Sequence, residues 1–174
     1  MKYEIVNFIS QEQTKLLREL KDEVLNSIFL IDAGEFALDV ILNCSNVKLT
    51  IKNNPTVELD GDEYPRLVVE KSTVDTRNHK EIIVEKKIKN ILIVRDEATW
   101  NNNKNNWLVH SDIGIKIILE DTVWMFFAHD SLAGLIKLIE LKEHSEGENV
   151  LLEDYWTMKT DSLEVLKRVE ISVD

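Results

Sequence analysis

The stretch from Asp112 to Leu141 constrains the fold more than any other part of the chain. It reads DIGIKIILE, a turn at Asp121-Thr122, VWMFFAHD, then SLAGLIKLIEL, which is the pattern of strand, tight turn, strand and helix. With Glu120 set opposite Val123, Ile115, Ile117 and Leu119 lie opposite Ala128, Phe126 and Trp124. Side chains alternate along a strand, so these six share one face. Lys116, Ile118, Met125 and Phe127 make the other face largely apolar as well. A hairpin apolar on both faces belongs in the middle of a sheet, covered on both sides. Asp130 is then placed to N-cap a helix over about residues 131–143, in which Leu132, Leu135, Ile136 and Ile139 recur at helical spacing.

Elsewhere the pattern is mostly of period two. Ser10 and Gln13 have capping-box spacing, and Leu16, Leu17, Leu20, Val24 and Ile28 predict an amphipathic helix over about 11–27. From Phe36 to Ser72 apolar residues alternate with polar ones, broken by turn signals at Asn53-Asn54-Pro55 and Asp60-Gly61-Asp62. Further strands are expected within Glu81–Arg95, over Val150–Lys159 and over Leu163–Val173. The spacers are too short for helical crossovers, which argues against a doubly wound parallel sheet. The expectation is one compact α+β domain spanning 1–174: a mostly antiparallel sheet of about eight strands with two packed helices.

Composition narrows the setting. The 174 residues carry a net charge of −11, with the single basic stretch at 71–95. Such a field repels nucleic acid and anionic membrane and is compatible with a basic protein partner, although simple solubility accounts for it more readily. Cys44 is the only cysteine, so no intramolecular disulfide can form and a reducing compartment is the natural setting. The start, MKYEIVNFISQEQ, is not a secretory signal, and the longest apolar run, VWMFFA, cannot span a bilayer. These features predict a soluble cytoplasmic protein.

Few residues point to chemistry. No phosphate-binding GxGxxG or GxxxxGK[ST] pattern is present, and no cofactor is expected. His110, Asp112, His129 and Asp130 gather at the open end of the proposed hairpin. Two imidazoles and two carboxylates can bind a zinc-like ion or form an acid–base pair. No metalloprotease-type spacing supports that use, and polar strand ends with a helix cap account for the same residues, so no metal is expected. Asp60, Asp62 and Glu63 resemble part of a calcium loop but lack its remaining oxygen donors. Cys44 has no histidine beside it, and Lys86, Lys87 and Lys89 read as guards against edge-to-edge sheet association.

Trp100 and Trp107 bracket the polar run NNNKNN, which predicts a cross-strand aromatic pair at the base of a loop. Trp100, Asn102, Asn103 and Trp107 are therefore the candidate partner-binding residues. The expected function is a non-enzymatic protein-binding domain, in its finer form a small acidic inhibitor of immunity type acting on a basic partner. Alternatives are a metal-dependent or acid–base hydrolase using His110, Asp112 and His129, and a subunit or regulatory domain of an oligomer.

Overall fold

A computed structural model describes residues 1–130, 134–142 and 155–174. In chain order the elements are β1 (Lys2–Asn7), α1 (Gln11–Glu19), β2 (Val24–Ala33), β3 (Phe36–Cys44), β4 (Lys48–Asn53), β5 (Thr56–Val57) and β6 (Glu63–Tyr64). They continue with β7 (Leu67–Lys71), β8 (Lys80–Lys87), β9 (Asn90–Asn102), β10 (Asn105–Ile118), β11 (Thr122–Asp130), β12 (Leu135–Lys142) and β13 (Leu163–Ser172). A helical turn occupies 155–159. Eleven strands share one sheet, whose main path runs β13-β9-β10-β11-β12-β3-β2-β8; β4 and β7 continue from β3. Pairing is antiparallel throughout except for β1, which lies parallel to the first half of β10. Among the described residues no helix is long and apolar enough to cross a membrane.

The β10–β11 hairpin sits in the middle of this path, as its two apolar faces require. Its register differs from the sequence expectation by two residues: Ile117 faces Trp124 and Ile115 faces Phe126. The turn falls at Glu120-Asp121, closed by the Leu119 amide donating to the Thr122 carbonyl at 2.9 Å. Because the slip is even, every side chain keeps its face. Ile115, Ile117, Trp124, Phe126 and Ala128 enter a first core, where they meet residues of β2, β3, β4 and α1. Met125 and Phe127 enter a second core on the opposite side, with Tyr64, Trp100, Tyr155 and Trp156.

Three expectations are corrected. The first helix starts where its capping residues put it, with the Ser10 hydroxyl accepting the Gln13 amide at 3.2 Å, but it ends at Glu19. Residues 24–33 are strand β2, where a bulge between Leu25 and Ser27 turns Leu25, Ile28 and Leu30 all inward. That bulge produces a three-residue apolar spacing that imitates a helix. The second helix, 131–143, is absent where the chain is described: 135–142 is strand β12, hydrogen-bonded to β11. Residues 131–133 and 143 lie outside the described residues. Ile136 and Leu138 pack into the first core while Ile139 and Leu141 pack into the second. A strand covered on both faces shows a continuous apolar run that periodicity cannot separate from a helix. Asp130 is the last residue of β11, and the helix cap expected of it falls outside the described residues. Third, the segment 155–159 is helical where a strand was expected, the rest of that stretch, 150–154, being outside the described residues. β2 and β12 are among the strands not expected, so the eleven-stranded sheet exceeds the eight strands expected, and β5 and β6 form a separate two-stranded sheet.

Candidate functional site

The β9–β10 hairpin turns at Asn103-Lys104, with Asn102 facing Asn105. Asn103 adopts a left-handed φ of 42°, a conformation that asparagine tolerates better than most residues. Trp100 and Trp107 are direct cross-strand partners, as their spacing predicts, with ring centroids 5.6 Å apart and planes within 11°. Tyr3, opposite Trp107 on β1, extends the stack at 5.3 Å. The result is an aromatic ladder across three strands, each ring pair contributing on the order of 1 kcal/mol beyond area burial.

The ladder is anchored to a turn that is distant in sequence. Asp60 Oδ2 accepts from the Trp107 indole N–H at 2.8 Å and from the Tyr64 hydroxyl at 2.6 Å, while Oδ1 accepts the Asp62 amide at 3.1 Å. Burial opposes ionisation of Asp60, but these donors and the nearby Lys159 outweigh it and hold the carboxyl below its ordinary range. The Tyr64 phenol is pushed upward, first by burial and then by its bond to Asp60, so it remains a donor. Lys159, from the helical turn, closes the other side. Its ammonium contacts Asp62 at 2.8 Å and the Glu63 carbonyl at 2.5 Å, and it lies 4.2 Å from the Tyr64 ring centre.

Between these groups is a cleft of about 200 Å³, into which Asn102, Thr160 and Ser162 also project. The Thr160 and Ser162 hydroxyls bond each other at 3.1 Å. Asp60 and Lys159 are held by several partners each, so the arrangement supplies a fixed polar surface rather than a base poised to take a proton. Asn102 lines the cleft, whereas Asn103 is exposed at the tip of the hairpin.

The second group of candidates is placed differently. Asp112 is fully buried, clasped at both oxygens by Arg95 at 2.6 and 3.1 Å and by the Ile9 amide at 2.8 Å. His110 lies on the same face of β10, with Nδ1 3.6 Å from Glu97. The His129 ring packs on Phe36, on β3, at 4.3 Å. Among the described residues no group of three or more His, Cys, Asp or Glu side chains could hold a metal ion.

Cys44 is buried on β3. Burial, with Glu23 adding to it, pushes its thiol from 9.0 up to about 12. The native thiol should therefore be inert to a disulfide reagent at pH 8 and react once the chain is unfolded. Between pH 9 and about 12 the unfolded thiol ionises while the native one keeps its proton. Stability should thus fall by about 1.4 kcal/mol per pH unit from this group, and urea titrations of Cys44→Ala should lack that component.

Sequence reading found the tryptophan pair but not Asp60, Tyr64 or Lys159 as its companions. The signal available was the Asp60-Gly61-Asp62 turn itself, which carries no local mark of the indole it meets 47 residues later. No family model matches the chain, and no curated protein or solved structure matches it either.

Proposed function

We infer that the chain is a non-enzymatic, cytoplasmic protein-binding domain that takes a basic partner at the Trp100–Trp107 end. The observation that carries this reading is the turn pinned beneath the aromatic ladder. It holds Leu59 almost wholly in water, 95% exposed, on a turn whose sequence neighbours Glu58, Asp60 and Asp62 are acidic. Val57 at 65% and Met158 at 60% exposure stand at the end of β5, where the turn begins, and on the helical turn that Lys159 ties to it. Apolar side chains held rigidly among acidic ones give a partner a dehydrating contact at little ordering cost, with charge to steer it. An inhibitor of immunity type, covering the working surface of a basic toxin, is the finer form of this reading and agrees with the net charge of −11.

The test is affinity capture from extract of the source cells, with Leu59→Ser and Glu58→Lys variants run beside the wild type. Leu59 is exposed and Glu58 half-exposed, its carboxylate accepting the Thr56 hydroxyl at 2.8 Å, so circular dichroism is run on each variant to show that the fold is kept. The wild type is expected to retain one basic protein, with retention falling as salt rises, and both variants should lose it. Equal retention by all three proteins, or no retention, overturns the reading.

A further inference from the structure

Strand β8 ends the main sheet path and pairs only with β2 among the described strands. Ile82, Ile83 and Val84 follow one another, so they alternate between the two faces of β8. All three nevertheless line one cavity of about 160 Å³, with Trp124 and Glu140 across it. That cavity therefore opens along the edge of the strand. A second cavity of about 290 Å³ shares Ile82, Trp124 and Glu140 with it and adds Leu30, Leu138 and Glu35. Together they make a trough between the edge of β8 and the inner face of β11 and β12. It shares no lining residue with the aromatic cleft.

Beneath the trough lie Leu30 and Trp124, both buried, and the half-buried Ile82 and Leu138, all of which belong to or pack on the first core, while much of its accessible lining is polar. Its rim is acidic in effect. Lys86 is taken by Asp121 at 2.6 Å and Lys80 lies 3.9 Å from Asp32, whereas Glu35 and Glu140 make no ion pair among the described residues. The open edge is also limited in length. Glu85 adopts a φ of 55° and the ladder to β2 shifts between Ile83 and Lys86, so regular extended backbone stops at Val84. Such a bulge, with lysines at either end, blocks indiscriminate sheet growth but leaves Lys80–Val84 able to pair.

We propose that this trough binds an extended basic segment of a partner protein, added as a short strand along Lys80–Val84. Every second side chain of the segment would rest on Trp124 and Leu138, and lysines or arginines would meet Glu35 and Glu140. Backbone pairing supplies affinity, while the acidic rim and the apolar residues beneath it select the sequence. Five residues span roughly 16 Å, which sets the length of the recognised segment.

Calorimetry with three capped hexapeptides tests this on the full chain: alternating lysine and valine, the same peptide N-methylated at alternate amides, and alternating glutamate and valine. The lysine–valine peptide should bind and shift the amide resonances of Lys80–Val84. N-methylation, which removes strand hydrogen bonds, should weaken it by about tenfold or more. The Glu35→Lys/Glu140→Lys variant should weaken it about tenfold and turn preference toward the glutamate peptide. Leu59→Ser should leave the peptide's affinity unchanged, which separates this site from the Trp100–Trp107 end. No binding, equal binding of the N-methylated peptide, resonance shifts confined to other strands, or a dimer in sedimentation that the peptide fails to dissociate would each overturn it.

Discussion

Asp96→Ala is expected to destabilise the fold by about 3–5 kcal/mol, read as a shift of the urea midpoint at constant slope. Asp96 lies on β9 facing the second core and is wholly removed from water. Its carboxylate receives the Trp156 indole N–H at 2.7 Å and both arms of Arg168 at 2.7 and 2.6 Å. Trp156 is itself fully buried. Removing the acid leaves a partly buried guanidinium and a fully buried indole donor without their partner, and desolvation then dominates any gain in packing. The double variant Asp96→Leu/Arg168→Met discriminates between causes. Replacing both charges with apolar groups removes the stranded guanidinium, so only the indole N–H stays unpaired and the loss should shrink to about 1–3 kcal/mol. A double variant as unstable as Asp96→Ala would mean that packing volume, not charge pairing, holds this core together.

The same trio shows where sequence reading stops. Asp96 and Trp156 are 60 residues apart, and Asp112 and the Ile9 amide that binds it are 103 apart. These meetings follow from which strand lies beside which, and no local pattern encodes them. What was legible is what neighbouring residues decide among themselves. The Ser10 cap, the sides taken by Ile115, Ile117, Phe126 and Phe127, and the Trp100–Trp107 pair all follow from alternation or from symmetry about a turn. The failures share a cause. In β2 a bulge, and in β12 burial on both faces, erase the period of two that would have marked a strand. The candidate site was half legible for the same reason: its tryptophans face each other across a hairpin, while Asp60, Tyr64 and Lys159 arrive from elsewhere.

Gly134→Ala separates the helical and extended readings of this region by the sign of its effect. Inside a helix over 131–143, alanine in place of glycine would stabilise by about 1 kcal/mol through helix propensity. In the structure Gly134 has a φ of +64°, and a Cβ built there stands 2.5 Å from the Asn53 carbonyl oxygen. The left-handed backbone alone costs alanine roughly 1–2 kcal/mol. The close approach adds more, because the obstructing atom is backbone at the end of β4 and cannot swing aside. That part of the chain is also tied to β12, the Asn53 side-chain amide donating to the Leu135 carbonyl at 3.2 Å, so relief of the clash pulls β12 away from β4. Gly134→Ala should therefore destabilise by about 2–4 kcal/mol in urea titration. Asn53→Ala in the wild-type background should cost less, about 1 kcal/mol, since it removes hydrogen bonds without forcing the strands apart. A stabilised Gly134→Ala protein would sink the assignment of β12 as a strand, and the trough beside β8 with it.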